Sequence, residues 1–343
     1  MTAASKSTDA RATIVVVPRE RFAKARESLE SVFANTAAPY RLVYVDGNSP
    51  RPLKAWLERQ AAERGFDLVR RERYLSPNEA RNIGLRRTET EYVVFLDNDV
   101  LLRPGWLEKL IECADDTGAA LVGPLTCEYD WETIHCAGGE VEILEERENG
   151  ATIRRAKEKL YHPQRKVDSV RADLKREECT LAEYHCVLAR REVLERIGGL
   201  DEEMLNTREH LDLCLEVLKV GGTVWFEPES VVTYLAPPPL ALRDYPLYML
   251  RWSDDWERRS LEHFREKWDL TSDEFFQARL ARLGWRRRMS ILHPLAQRLS
   301  IRGRGSGKAE RALSPLERRL NRWVTERDAR ARAREETRAG AGA

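Results

Sequence analysis

No two of the six cysteines (Cys113, Cys127, Cys136, Cys179, Cys186 and Cys214) have C-x-x-C spacing, which disfavours a zinc knuckle or a dithiol redox pair. No run of about 18 apolar residues occurs, and the N-terminus carries no apolar leader core. Buried free thiols in a reducing cytoplasm are therefore the expectation. A dominant charge is also missing: charged residues make up 34% of the 343-residue chain, yet the formal net charge is +1. That balance argues against a dedicated nucleic-acid binder. The imbalance that exists is local, with 12 Lys/Arg against 6 Asp/Glu from Arg302 onward.

What is present is a sizeable apolar fraction, 42%, arranged in alternating strand and helix patterns. After a small, polar, disordered N-terminus (1–11), "ATIVVV" (12–17) reads as a buried strand ended by Pro18. Residues 19–35 place Phe22, Leu29, Val32 and Phe33 on one helical face. "YRLVYV" (40–45) is a second strand, stopped by the turn formers "DGNSP". A helix (52–64) and a short strand (66–70) follow. "SPNEARNIGLRR" opens a helix: Ser76 and Glu79 have capping-box spacing and Pro77 occupies the first helical position. Then come a strand (91–96), a helix (106–116) and a strand (119–124). This alternation predicts an α/β fold with parallel strands and helical crossovers.

Beyond Pro124 the rhythm changes. "HCAGGEVEILEE" (135–146) reads as a hairpin or extended excursion, and the charged stretch 147–177 as a mobile region. Residues 179–189 read as a strand, "RREVLERIGGLDEEM" (190–204) as a short helix ending at a Gly pair, 208–222 as a helix stopped by Gly221 and Gly222, and "TVWFEP" as a last strand. "PPP" breaks the pattern after Ala236, and the chain to about Ile301 reads as helical. The expected organisation is a domain over 12–235 with halves 12–124 and 125–235, a helical extension over 236–302, and a polar, Arg-rich, partly disordered tail over 303–343 with one helix near 315–336.

In open α/β sheets ligands bind beyond the carboxyl ends of the strands. Three features fall there: "DGNSP", the start of the Ser76 helix, and Asp97-Asn98-Asp99 at the end of "EYVVFLDNDVLLRPG" (91–105). Two carboxylates at a strand end can converge on Mg²⁺ or Mn²⁺, which prefer oxygen ligands and bridge to phosphates. The plainer alternative is an acidic turn capping the next helix.

"IVVVP", "VYVDGNS", "NEARNIGL" and "YVVFLDNDVLL", followed by "AGGEVEI", "LARREVLERIGGLDEEM" and "EHLDLCLEVLKVGGTVWFEPESVVTY", occur in an order and spacing that resembles the family 2 glycosyltransferases of the GT-A fold, over about residues 12–235. The resemblance implies a GT-A, Rossmann-like mixed sheet flanked by helices, with the C-terminal helices as an extension. It also implies a hexosyltransferase-type, inverting transfer from a nucleotide-diphosphate-sugar donor, in glycan or polysaccharide biosynthesis. On this reading Asp46 contacts the nucleobase or ribose, Pro18 and Glu20 lie near the nucleoside, and Arg81 near the diphosphate or sugar. Asp99, helped by Asp97, holds the metal.

The family places its base at an acidic pair opening the helix after "GGLDE". Here the chain reads Arg208-Glu209-His210-Leu211-Asp212, with His210 where many relatives carry Asp. Glu209 is the first candidate for the base and His210, whose ordinary titration lies near neutrality, the second; Asp212 caps or braces the helix. Some relatives add a metal-binding His after the last strand, but this chain has Tyr234 there. His135, His162 and His185 are the possible substitutes. Trp131, Tyr184 and Trp225 are candidates for stacking on an acceptor sugar, with core packing as the alternative for each.

The acceptor is expected to be a glycan, a lipid-linked molecule or a small molecule. "LGWRRRMSILHPLAQRL" (283–299) reads as a soluble amphipathic helix or interface, with peripheral contact at the inner face of a membrane as the second reading. Two other functions compete. A sugar nucleotidyltransferase usually carries glycine in the loop after its first strand, and "VVVPRERF" has none. A decayed, glycosyltransferase-like binding protein is motivated by His210 and Tyr234, and opposed by intact Asp46, Arg81, Asp97 and Asp99.

Overall fold

Val15 and Val17 of the first strand, β1 (Ala12–Val17), point into one apolar cluster, and Ile14 and Val16 into another. Successive side chains on a strand face opposite ways, so the two clusters are the two faces of one sheet. The computed structural model describes residues 9–148, 150–235, 240–299 and 306–340. Residues 1–8 of the expected disordered N-terminus, the "PPP" break and residues 303–305 lie outside the described residues.

The chain continues as α1 (Ala25–Asn35), β2 (Tyr40–Gly47), α2 (Arg51–Arg64), β3 (Asp67–Arg71), α3 (Pro77–Leu85), β4 (Tyr92–Asp97), β5 (Val100–Leu102), α4 (Trp106–Thr117), β6 (Leu121–Glu128) and β7 (Ile134–Cys136). Next come β8 (Gly139–Glu148), β9 (Ala151–Leu160), α5 (Val167–Val170), β10 (Glu177–Cys179), β11 (Cys186–Arg190), α6 (Arg191–Arg196), α7 (Glu209–Lys219) and β12 (Val224–Tyr234). The C-terminal helices are α8 (Tyr245–Arg251), α9 (Asp254–Lys267), α10 (Glu274–Leu280), α11 (Trp285–Arg287), α12 (His293–Leu299) and α13 (Ser306–Gly340).

Ten strands form a mixed sheet, β10-β12-β6-β11-β4-β1-β2-β3, with β5 beside β12 and β7 beside β6. Strands β1 to β4 run parallel, as the alternating pattern predicts. β11 runs antiparallel to β4 and β6, and β12 runs parallel to β6. The carboxyl ends of β1, β2, β4, β6 and β12 therefore share one edge. Cys186, the first residue of β11, pairs with Leu96 near the end of β4, so the residues leading into β11 arrive at that edge too. Helices α1, α2 and α4 cover one face of the sheet; α3, α6 and α7 cover the other.

Helix α3 lies so close to β1 that a Cβ on Gly84 would overlap the side chain of Val15. This contact sets where Arg81, one turn earlier, reaches the strand ends. Overpacking of this kind costs about 1–3 kcal/mol, so Gly84→Ala should lower the thermal midpoint measurably. An unchanged melting curve would show that the helix moves freely.

Four expectations need correction. The charged region expected to be mobile begins with the outer half of a ribbon, β8 paired with β9 from Gly139↔Leu160 to Glu148↔Ala151, and later holds α5 and the start of β10. Apolar alternation could not reveal it, because the outer ribbon is laced by charge: Lys159–Glu140, Lys157–Glu142, Arg154–Glu145 and Arg155–Glu148. Cross-strand opposite charges stabilise such pairs, and "ENG" at 148–150 was a readable turn signal. Second, 179–189 is not one strand. β10 pairs with β12 while β11 pairs with β4 and β6, and Thr180–His185 leave the sheet between them. Third, β12 runs on to Tyr234, with a register shift between Glu227 and Val231 that accommodates Pro228.

The fourth correction concerns the tail. Residues 306–340 form α13, which docks through polar groups: Asn321 Nδ2 donates to the Met249 carbonyl at 2.8 Å, Arg332 reaches Glu79 at 2.9 Å and Arg287 reaches Glu317 at 2.6 Å. A helix held this way has no apolar stripe for a sequence pattern to show. In the 283–299 segment, Ile291, Leu292 and Ala296 are buried while Trp285, Met289, Leu295 and Leu299 are exposed. Among the described residues, no helix is long and apolar enough to cross a membrane.

Candidate active site

Asp97 ends β4, and the backbone turns at once. The Asn98 amide donates to the Val17 carbonyl at 2.9 Å, and Asn98 Nδ2 donates to the Arg21 carbonyl at 2.9 Å. Asn98 thus pins the turn to the exit of β1 and leaves the flanking carboxylates buried. Asp97 Oδ1 accepts from Arg81 Nη2 at 3.1 Å, and Asp99 Oδ2 accepts from Arg21 Nε at 3.0 Å. The remaining oxygens, Asp97 Oδ2 and Asp99 Oδ1, are buried without a hydrogen-bond partner. Arg19 Nε stands 3.3 Å from Asp97 Oδ2, within ion-pair range but not aligned as a donor. Burial, only partly offset by Arg21 and Arg19, pushes the Asp99 carboxyl up to about 7. Two adjacent buried carboxylates, each with a spare oxygen, fit a hard divalent cation such as Mg²⁺ or Mn²⁺.

Of the three histidines considered as extra metal ligands, His185 lies closest to this pair, with Nδ1 at 3.3 Å from Asp97 Oδ2. Burial, reinforced by Arg19, holds its pKa well below the ordinary value, so the ring is neutral and keeps a lone pair for a cation. It stacks on Tyr234 at 4.1 Å between centroids. The Tyr234 hydroxyl donates to Glu20 Oε1 at 3.2 Å. His135 packs edge-on to His185 and pairs with Glu128 at 3.2 Å. His162 sits in the turn after β9, with φ of 53°.

A cavity of about 310 Å³ opens here, lined by Arg81 and Asp97 from the sheet edge and by Glu209 and His210 from α7. Its other walls include Arg19, Glu158, Glu183, Tyr184, His185, Arg208, Arg251, Trp252, Arg279 and Arg286. Six guanidinium groups thus face four carboxylates, and several are buried. Arg81 lies over the Tyr184 ring at 3.6 Å, and Arg286 lies over Trp252 at 4.1 Å. The Arg251 guanidinium, buried and crowded by Arg19 and Arg81, has its pKa lowered although Glu209 opposes the shift. An excess of buried cations in a cleft is the electrostatic signature of an anionic ligand site.

Glu209 is the first residue of α7 and follows Arg208, whose φ of 69° is unusual for a residue with a side chain. Such left-handed positions cost about 1–3 kcal/mol and recur at functional sites. Glu209 Oε1 accepts from Arg251 Nη2 at 2.7 Å. Burial alone would raise the Glu209 carboxyl, but Arg251, His210 and Arg81 outweigh it and hold it at about 2. His210 differs. Burial would discharge it, yet Glu183 and Glu158, with help from Glu209, raise it to about 9. A charged imidazolium has no lone pair with which to accept a proton.

This charge is linked to stability. A histidine raised from 6.5 to about 9 on folding contributes stability that is complete below 6.5 and is lost as pH rises through about 9. In metal-free protein the thermal midpoint should fall over that window. His210→Ala should flatten the slope, whereas an equal slope in both proteins would show that His210 does not carry it.

The other expected residues distribute unevenly. Asp46, at the carboxyl end of β2, accepts from the Ser49 amide and hydroxyl at 2.9 Å and from Arg70. Pro18 is buried at the exit of β1, and Glu20 is buried with Oε2 accepting from Trp252 Nε1 at 2.8 Å. Asp212 braces α7 against α9 through Lys267 and Trp268, both at 2.9 Å. Of the acceptor candidates, only Tyr184 reaches this cavity. Trp225 faces the opposite side of the sheet and packs half-buried against the apolar cluster there, because it alternates with Val224 and Phe226. Trp131 lies under Arg103 at 4.9 Å and lines a separate cavity with Lys166 and Arg171. The sequence reading missed Arg19, Glu158, Glu183, Arg251, Trp252 and Arg286. The Trp- and Arg-rich runs "RWSDDW" and "GWRRR" were the available signal.

The family model described as glycosyl transferase family 2 matches residues 13–198. The pre-mycofactocin glycosyltransferase of Mycobacterium tuberculosis (strain CDC 1551 / Oshkosh) is 27% identical over 195 residues, covering 57% of this chain and 37% of that protein. The succinoglycan biosynthesis protein ExoM of Rhizobium meliloti (strain 1021) is 30% identical over 117 residues, covering 32% of this chain and 37% of that protein. This chain therefore spans well under half the length of these curated relatives. Among solved structures, GalNAc-T7 with UDP, GalNAc and Mn²⁺ superposes with a TM-score of 0.52 at 16% identity, over 82% of this chain and 58% of that one. At that identity the likeness shows the fold alone, which is GT-A.

Proposed function

We propose that this chain, which belongs to glycosyl transferase family 2, moves a sugar with inversion from a nucleotide-diphosphate-sugar donor to an acceptor hydroxyl. The observation that carries the reading is the single cavity in which Arg81 and Asp97 face Glu209 among further buried guanidinium groups. Asp46 and Pro18, at neighbouring strand ends, take the nucleoside, and Glu20 braces that wall. Arg19, Arg81, Arg251 and Arg286 take the diphosphate. Asp99 and Asp97 would hold Mg²⁺ or Mn²⁺, with neutral His185 beside them; such an ion supplies charge neutralisation to a departing diphosphate.

Glu209 is the base. It receives the acceptor proton while that oxygen attacks the anomeric carbon from the side away from the diphosphate, and the C–O bond to the diphosphate breaks. The charged state of His210 argues for Glu209 over His210 in this role. At about 2, Glu209 is a weak base because Arg251 holds it. A bound diphosphate competes for the same guanidinium and so raises the basicity of Glu209. Tyr184, already under Arg81, offers the acceptor a ring edge.

A donor panel tests this reading. The protein is incubated with nucleotide sugars and Mg²⁺ or Mn²⁺, and slow donor hydrolysis and thermal stabilisation are measured. Metal-dependent hydrolysis of one donor is expected. Pyrophosphate release from a nucleoside triphosphate would instead identify a nucleotidyltransferase, stabilisation without turnover a binding protein, and no response to any donor would refute the proposal.

A further inference from the structure

We infer that Glu158, Glu183 and His210 form a second divalent-metal site, with coordination suited to Zn²⁺, on the cavity wall where the β8–β9 ribbon meets α7. The three residues come from separate segments: Glu158 from β9, Glu183 from the excursion before β11, and His210 from the first turn of α7. One ligand atom from each lies within 4.8 Å of the other two. His210 Nε2 stands 3.4 Å from Glu158 Oε1 and 3.5 Å from Glu183 Oε1. Those separations are long for charge-assisted hydrogen bonds, which run at about 2.7–2.9 Å. They match the edges of a tetrahedral zinc site, where bonds of about 2.1 Å place ligand atoms about 3.4 Å apart.

The surrounding chemistry agrees. Glu158 Oε2 accepts from Arg208 Nη1 at 2.7 Å, which leaves Oε1 for an ion and fixes the carboxylate as an outer hydrogen bond does at metal centres. Among the described residues, His210 is the ion-pair partner of Glu183. A dication replacing the imidazolium proton would balance both carboxylates. An imidazole with two carboxylates favours a borderline ion over Mg²⁺, in contrast to the oxygen-only pair at Asp97 and Asp99. All three residues line the cavity, so the fourth coordination position opens into it. Occupancy would tie the ribbon to the helix that carries Glu209.

The test uses the full chain, stripped of metal and without donor, titrated with Zn²⁺ by calorimetry and with Co²⁺ by visible absorption. Wild type and Asp99→Asn should each bind one Zn²⁺ at this site and give the intense d–d bands of tetrahedral Co²⁺. Glu183→Gln, which keeps the shape of the side chain, and His210→Ala should each weaken binding at least tenfold and lose those bands, with folding checked by circular dichroism. The proposal fails if wild type binds no Zn²⁺, if both variants still bind it with tetrahedral Co²⁺ bands, or if Asp99→Asn alone removes the site. Because no donor is present, this outcome is independent of the glycosyltransferase reading.

Discussion

Glu209→Gln should retain donor binding and lose sugar transfer by about 10³-fold, within the range expected when a positioned general base is removed. The amide is isosteric and can still hydrogen-bond Arg251, whose guanidinium lies 2.7 Å from Glu209 Oε1, so the cavity should keep its shape. Donor affinity is read by calorimetry and transfer by product formation. A carboxylate held at about 2 by Arg251 in the free protein should become more basic when a diphosphate draws on that guanidinium. The acid limb of kcat should then lie at higher pH than that of kcat/KM, since the two report the donor complex and the free enzyme. If Glu209→Gln transfers normally while His210→Ala does not, the base has been assigned to the wrong residue.

The second large effect is expected at Asp99. Asp99→Asn should lower donor turnover by about 10²–10³-fold, as does the loss of one preorganised electrostatic contact to a transition state. The remaining rate should no longer depend on Mg²⁺ or Mn²⁺. The asparagine variant is preferred to Asp99→Ala because Arg21 is buried against this carboxylate, and removing one partner of a buried pair costs about 3–5 kcal/mol. Turnover in Asp99→Asn that still rises with added metal would place the ion elsewhere.

The metal-ligand and diphosphate candidates were legible where local chemistry dictated position. Five apolar residues before Asp97 required a buried strand, and Pro77 marked a helix start, although the expected capping box does not form: Ser76 makes no side-chain cap and Glu79 pairs with Arg73 and Arg332. Together these bring Arg81 and Asp97 to one edge. Glu158 was illegible because its ribbon is held by alternating charges, which resemble a solvated loop in a hydropathy pattern. Arg251 and Arg286 were illegible for a different reason. Helix periodicity identifies the face that packs, but it does not say that a distant strand end waits beneath it. For Trp225 the sequence left a sugar platform and core packing both open, and strand alternation turns it against the apolar cluster on the far face of the sheet.

The exit of β1 has a partner very far along the chain. Asp244 Oδ1 accepts from the amides of Phe22 and Ala23, the former 222 positions earlier, and Glu20 waits for Trp252. During synthesis, the segment that matches the family is complete long before these contacts exist. A nascent chain that has just released Tyr234 holds Glu20 and Glu209 without the indole and guanidinium that later receive them. The cleft proposed to take the donor is thus a late product of translation, closed only when the C-terminal helices return to the first strand, and the ribosome delivers a sheet before it delivers a site.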